Sequence, residues 1–187
     1  MIQINDFLRR VEHKVDAHGV IEASDIKAFQ IDGTDGLFLH LEFRDGELCL
    51  SDYFIEKGED VQIIEVSDLD NQLAEYVALV EKLREDVLNT KGKISLSDEK
   101  TIRRTAWAPL TNEFKRKWCG SIAVLERYYR KSSVIQHNPK YRLAIICKEK
   151  TDPRMLDELK IMMKGMIPRL DISTTLNAQG IAIHLHP

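Results

Sequence analysis

Apolar and polar residues follow one another along the chain in patterns that predict its helices and strands. Near the N-terminus, apolar residues recur every three or four positions from Ile4 to Val15. Gly19 follows them and can end a helix in the left-handed conformation. The pattern therefore predicts a helix over residues 5–18.

Residues 36–55 show a different pattern, in which apolar and polar positions alternate on both sides of Asp45-Gly46. Asp-Gly suits a two-residue turn with positive φ at both central positions. With this turn, Leu41 faces Leu50 on an apolar surface, so we predict a half-buried antiparallel hairpin. Its polar face would carry Glu42 and Arg44.

A heptad pattern of apolar residues follows and predicts a long amphipathic helix over about residues 69–90. Ser67 or Asp68 would begin this helix, and it would end before Gly92. The stripe has two interpretations: it covers the core of its own domain, or it joins two copies of the chain as in a coiled coil. The candidate partner-binding residues are Leu69, Leu73, Tyr76, Val80 and Leu83.

The second half of the chain predicts an α-α-β-α-β-β order. Ser97 would begin a helix through Ala108, Pro109 would end or kink it, and Thr111 would begin another through about Ser132. The apolar run YRLAIICKE indicates a buried central strand. The remaining elements are a helix between Pro153 and Pro168 and two short strands around a turn at residues 177–180.

These elements define the expected fold class and domain organisation. The class is α+β, with an N-terminal helix plus an antiparallel hairpin, a long amphipathic connecting helix and the C-terminal α-α-β-α-β-β unit. The polar segment after the long helix suggests a boundary, which divides the chain into residues 1–92 and 93–187. One continuous domain is the alternative.

Charge is distributed unevenly between these halves. Residues 1–99 contain 10 Lys and Arg against 23 Asp and Glu, a net charge of −13. Residues 100–187 contain 17 Lys and Arg against 7 Asp and Glu, a net charge of +10. Such a division suggests an anionic partner for the second half or a basic partner for the first. Alternatively, the two halves face and neutralise each other.

Cations of the second half are predicted to form an outward ridge. On a helix that begins at Thr111, Phe114 and Trp118 share an apolar face, and most of the cations lie on the opposite side. Arg and Lys side chains in such a ridge suit contacts with nucleic-acid phosphates, although solvated basic helix faces are common. The candidate anion-binding residues are Arg103, Arg104, Arg116, Arg127, Arg130 and Lys131.

An enzymatic alternative centres on Glu42. Metal-dependent nucleases combine an upstream Asp with a strand Glu-x-Lys, whose carboxylates hold Mg²⁺. Here Arg44 replaces the Lys, and Arg is a poor base. Other candidates are weaker: Cys119 lacks an evident base, and His184 and His186 lack a third metal ligand. We expect no cofactor, no metal ion and no catalytic residue.

We expect neither a membrane-spanning segment nor a signal peptide from this sequence. No apolar run approaches the about 18 residues that a membrane span needs, and the N-terminal residues lack a signal-peptide pattern. The three cysteines are widely spaced, which favours a reducing compartment. We therefore expect a cytoplasmic, non-enzymatic binding or regulatory protein without a membrane partner. It would dock on nucleic acid, on a nucleoprotein or on a protein partner by charge complementarity; the alternatives are a phosphodiesterase centred on Glu42 and a structural homodimer.

Overall fold

A computed structural model describes residues 3–13, 21–44, 46–132 and 138–178 of the chain. These residues form helices and a mixed sheet, which confirms the α+β class. Four α-helices are present in the described part: α1 Leu37–His40, α2 Asp70–Lys91, α3 Leu96–Ser132 and α4 Pro153–Met163. The strands are β1 Leu8–Glu12, β2 Ala23–Gln30, β3 Tyr53–Lys57, β4 Asp60–Ser67, β5 Lys140–Cys147 and β6 Leu170–Thr174. Short 3-10 helices occupy Ile4–Phe7 and Thr175–Asn177.

The six strands lie in the sheet in their order along the chain. Strands β1 to β4 form an antiparallel meander, whereas β5 is parallel to β4 and β6 is parallel to β5. Parallel neighbours need a long crossover, which α2 and α3 supply before β5 and α4 supplies before β6. Strands from both sides of residue 92 share this sheet, and the predicted domain boundary there stays a prediction.

The sheet is covered by apolar side chains on both faces. Along β4, Val61 and Ile63 face the main core with the helices, whereas Ile64 belongs to a smaller cluster on the other face. Trp107 and Phe114 of α3 are almost fully buried in the main core. Burial on both faces explains why β5 is a continuous apolar run, and the prediction of a buried strand there is confirmed.

The N-terminal segment differs from the predicted helix over residues 5–18. A 3-10 turn buries Phe7, and the chain then continues as β1, in which Arg9 lies opposite Ala28 of β2. Val11 is buried in the smaller cluster. Pairing with β2 therefore overrides the local spacing that suggested a helix. Residues 14–18 of that prediction lie outside the described residues.

The predicted hairpin over residues 36–55 is also misplaced. Residues 37–40 form the short helix α1, and Leu37 and Leu41, one turn apart, are both fully buried. The antiparallel hairpin that does exist joins β3 to β4, where Gly58 takes a positive φ of 60°. Burial of helically spaced leucines thus decides the conformation of residues 37–41. Asp45 of the predicted turn lies outside the described residues.

Both long helices are present, but α3 is longer than predicted. Helix α2 ends at Gly92 with a positive φ of 71°, as predicted. Helix α3 continues through Pro109, so the predicted division into two helices is wrong. Trp107 and Leu110, on either side of this proline, are both buried in the main core, which holds the helix together.

The starts of these helices also differ from those predicted. Leu69, rather than Ser67 or Asp68, precedes the first turn of α2. For α3, the capping residue is Ser95 rather than Ser97: its hydroxyl accepts a hydrogen bond from the Asp98 amide, and the Asp98 carboxylate accepts one from the Ser95 amide. This reciprocal pattern is a capping box.

The last predicted elements are only partly described. Helix α4 begins at Pro153, and the Asp152 carboxylate accepts a hydrogen bond from the Arg154 amide. Strand β6 corresponds to the first of the two predicted terminal strands, and the second lies outside the described residues. None of the helices in the described part of the chain has both the length and the apolar character needed to cross a membrane.

Candidate functional site

The predicted basic ridge does not form a single outward face. Because α3 is continuous, Arg104 and Arg116 project about 120° apart around its axis. Three of the remaining cations are held by carboxylates of other segments: Arg103 by Glu158, and Arg127 and Lys131 by Glu42. Arg130 lies 3.9 Å from Glu126 on its own helix. Arg104 and Arg116 are exposed and have no carboxylate partner among the described residues.

Ion pairs also join the acidic first half to the basic second half. They include Glu59–Lys140, Asp60–Arg142, Glu65–Lys117 and Asp68–Lys148. In each of these pairs the acid precedes residue 100 and the base follows it. Part of the charge division seen in the sequence is therefore neutralised within the molecule.

The stripe of α2 faces the core of its own chain. Leu69 is fully buried, and Leu73, Tyr76 and Val80 are each less than a tenth exposed. Leu83 packs against the same core. The role of these residues in binding a partner stays a prediction, but most of their apolar surface is already covered.

A polar concavity lies where β4 and β5 end. We call it the carboxyl-edge cleft; it has a volume of about 460 Å³. In open α/β sheets, ligands bind outside the carboxyl ends of parallel strands. The cleft is lined by Glu12, His13, Gln30, Asp32, Gly33, Leu48, Cys49, Leu50, Asp52, Tyr53, Glu65, Val66, Asp68, Lys117 and Lys148.

Glu65 is the most deeply buried acid of this cleft, with 2% of its surface exposed. It lies near the end of β4, where strand alternation directs it to the helix side of the sheet. Lys117 of α3 reaches it, and Lys117 Nζ lies 2.5 Å from Glu65 Oε1. Glu65 Oε2 is buried and has no hydrogen-bond partner in the part of the chain that the structure describes. The cleft thus contains a carboxylate oxygen to which no described residue donates a hydrogen bond.

Asp52 supplies the second carboxylate beside Glu65. It directly precedes β3, and its Oδ2 accepts a hydrogen bond of 2.8 Å from the Val66 amide. Burial raises the pKa of Glu65 to about 8, and the charge of Asp52 adds to this effect, while Lys117 opposes it. Burial lowers the pKa of Lys117, but Glu65 and Glu113 raise it more, so this ammonium stays protonated.

The far side of the cleft is formed by the ends of β1 and β5. His13 Nε2 lies 2.9 Å from Thr175 Oγ1, which donates a hydrogen bond to the Cys147 carbonyl. Burial lowers the pKa of His13, which therefore stays neutral. Lys148 is 4% exposed, and its ammonium lies 2.6 Å from the Asp68 carboxylate. This side offers a buried neutral imidazole and a second cation.

Residues 48–50 form a wall of the cleft and are fixed to α3. The Ser51 amide donates a hydrogen bond of 2.8 Å to Ser121 Oγ. At Gly120, a Cβ atom would lie 2.1 Å from the Cys49 carbonyl oxygen, so the backbones approach too closely for a side chain. Only glycine permits this contact.

Glu42 is not on a strand, which contradicts its predicted placement. It follows α1 with a positive φ of 66°, and its side chain is 74% exposed. Its carboxylate contacts Arg127 and Lys131 instead of an aspartate. In the described ranges, no group of three or more His, Cys, Asp or Glu side chains is arranged to hold a metal ion. The strand placement on which a nuclease centred on Glu42 was based is therefore wrong, and the nuclease itself stays a prediction.

The other minor candidates are distributed as follows. Cys119 is exposed, Cys49 is half-buried and Cys147 is buried. His184 and His186 lie outside the described residues.

The residues of the cleft were not identified from the sequence, although one feature of it distinguished Glu65. Glu65 is the single charged residue in the apolar segment VQIIEVS. A buried charge is costly unless it is paired, so such a residue is a candidate for function. No comparable feature of the sequence distinguishes Asp52 or Lys117, because their proximity to Glu65 depends on tertiary packing.

Comparison of the chain with protein-family models, with curated proteins and with solved structures finds no match.

Proposed function

We propose that the protein is a metal-dependent phosphodiesterase that acts on nucleic acid in the carboxyl-edge cleft. The observation that carries the proposal is the buried, unpartnered Glu65 Oε2 beside Asp52 and Lys117. A buried polar atom without a partner calls for a missing water or ion. A cation at this oxygen would supply the missing interaction.

The chemistry of the set favours Mg²⁺ or Mn²⁺. Mg²⁺ is commonly held by one or two carboxylates, while waters and substrate phosphate oxygens complete its coordination. Asp52 and Glu65 supply these two carboxylates. A site made of protein ligands alone would need more side chains. A bound cation would also stabilise ionised Glu65 and remove the cost of burying its charge.

Lys117 has an electrostatic role in this proposal. Its raised pKa keeps it protonated, so it cannot take a proton from water. A fixed ammonium stabilises the negative charge that develops on the phosphoryl oxygens during hydrolysis. Asp52 and Glu65 would hold the cation, which would supply a more acidic water as the nucleophile toward phosphorus and a positive charge beside the phosphoryl oxygens. The leaving oxygen would take its proton from solvent.

Cleavage assays test the proposal. Labelled single- and double-stranded DNA and RNA are incubated with the protein in Mg²⁺ or Mn²⁺. We expect Glu65→Gln to reduce cleavage at least about a hundredfold. Glu81→Gln, an exposed residue of α2, is the matched control and should be as active as the original protein.

A second readout is independent of turnover. Ligands that bind only the folded state raise the unfolding temperature, so Mg²⁺ should stabilise the original protein but not Glu65→Gln. Absence of both cleavage and metal-dependent stabilisation in the original protein would refute the proposal.

Non-enzymatic docking by charge complementarity is the second candidate. It is favoured by Arg104 and Arg116, which are exposed and lack carboxylate partners within the described residues. Fluorescence anisotropy with labelled DNA and RNA over a salt series would measure it, since phosphate contacts weaken as salt rises. Salt-sensitive binding without cleavage in any metal would favour this candidate over the first.

A further inference from the structure

Glu42 bridges two cations of α3 from outside the helix. Its Oε2 lies 3.0 Å from Lys131 Nζ and 3.5 Å from Arg127 Nη2. The two cations are four residues apart and therefore project from neighbouring positions on the same face. One carboxylate oxygen thus occupies a position where two positive charges converge.

Arg127 is held in place by more than this carboxylate. Its guanidinium carbon lies 4.6 Å from the centre of the Phe43 ring, and Phe43 packs against the main core. Stacking of this kind orients the planar guanidinium independently of an anion. Arg127 would therefore keep its orientation if Glu42 left.

Glu42 itself is easily displaced. Its side chain is 74% exposed, whereas Arg127 and Lys131 are 38% and 39% exposed, so the carboxylate covers the cations from the solvent side. Its φ of 66° is a conformation that residues with a side chain rarely adopt. Ion pairs at the surface contribute little to stability, so the loss of this one costs little free energy.

The position of this pair suits the backbone of a nucleic-acid strand. Arg127 follows Lys117 by nearly three helical turns, about 15 Å along the axis of α3. Lys117, Arg127 and Lys131 lie within about 80° of one another around that axis. A strand that enters the carboxyl-edge cleft and runs along this side of α3 would pass both places.

The geometry points to Arg127 and Lys131 as a phosphodiester-binding pair that Glu42 occupies in the free protein and that a nucleic-acid strand takes over by displacing it. Arg and Lys recognise phosphate oxygens as they recognise a carboxylate, and each neutralised phosphate also releases counterions. This inference rests on the proposed function only for the identity of the ligand as nucleic acid.

Anisotropy with a fluorescein-labelled 20-nucleotide DNA, and the same RNA, tests the inference at several salt concentrations. We expect Glu42→Gln to bind about two- to fivefold more tightly than the original protein at low salt. Glu47→Gln is the matched control, because Glu47 lies in the same loop and its carboxylate accepts a hydrogen bond from the Arg44 amide. It changes the net charge equally without touching the pair.

The double variant Glu42→Gln/Lys131→Gln should lose the gain. Equal affinities for Glu42→Gln and Glu47→Gln, a gain that survives Lys131→Gln, or no binding by any variant would overturn the inference.

The outcome is separable from that of the proposed function. Glu65→Gln should lose cleavage but keep the gain in binding caused by Glu42→Gln. Tighter binding by Glu42→Gln without any cleavage would support the phosphate-binding pair and refute the phosphodiesterase. Cleavage without tighter binding would support the phosphodiesterase and refute the phosphate-binding pair.

Discussion

Lys117 Nζ lies 2.5 Å from Glu65 Oε1, although one residue belongs to the basic half of the chain and the other to the acidic half. Glu65 is nearly fully buried, and Lys117 is a quarter exposed toward the cleft. An ion pair in such a place is a poor source of stability, because desolvation offsets much of the attraction. Its position at the end of β4, beside Asp52, supports the role that we propose for it.

The pH dependence of stability should report the burial of Glu65. Its pKa is raised from 4.5 to about 8 in the folded protein, so folding favours the protonated form. The stabilising contribution is full below pH 4.5 and is lost as pH rises through 8, at about 1.4 kcal/mol for each unit of pKa difference. Urea unfolding between pH 5 and 9 should therefore show a flatter profile for Glu65→Gln than for the original protein. Parallel profiles would contradict this assignment.

His13 should produce the opposite dependence. Burial lowers its pKa below 6.5, so the unfolded chain takes up a proton before the folded protein does. The contribution is full above pH 6.5 and is lost as pH falls from 6.5 through the lowered pKa of the folded protein. His13→Gln keeps a side chain that can bond to Thr175 but does not titrate. We expect it to remove this loss when unfolding is compared at pH 7.5 and 5.5.

Substitution of Gly120 by alanine should destabilise the protein despite the higher helix propensity of alanine. The new Cβ would meet the Cys49 carbonyl oxygen at 2.1 Å, and α3 and the cleft wall would have to separate. We expect a loss of about 1–3 kcal/mol in the free energy of unfolding, measured with urea. Cys119→Ala, at the exposed neighbouring position, should have no such effect. Stabilisation by Gly120→Ala would show that the close approach is absent.

The capping box of α3 gives a paired prediction. Ser95→Ala removes the hydroxyl that accepts a hydrogen bond from the Asp98 amide. It should lower the free energy of unfolding by about 1 kcal/mol. Ser97, which the sequence suggested as the cap, is exposed and lies within the helix. Ser97→Ala should therefore leave the urea midpoint unchanged. The reverse order of effects would indicate that α3 begins two residues later.

Local sequence determined the elements in which one periodicity extends over many residues. The heptad stripe of α2 and the apolar run of β5 were recognisable because burial of a whole face imposes a regular pattern. The proline at the start of α4 acts in the same local way, since its fixed φ suits a first helical turn. In these segments local preference and tertiary burial agree.

Only the tertiary structure decided the short segments and the site. Leu37 to Leu41 became helical, and the segment around Val11 became a strand, because the surrounding core and β2 offered better burial than their local patterns implied. Asp52, Glu65 and Lys117 are separated in sequence and meet only because β3 pairs with β4 and α3 packs along these strands. The charge division was visible in the sequence, but which charges neutralise one another depended on this packing. Local periodicity in the sequence shows which side of a helix or strand is buried. A site also depends on which of these elements pack against each other, and local sequence does not determine that.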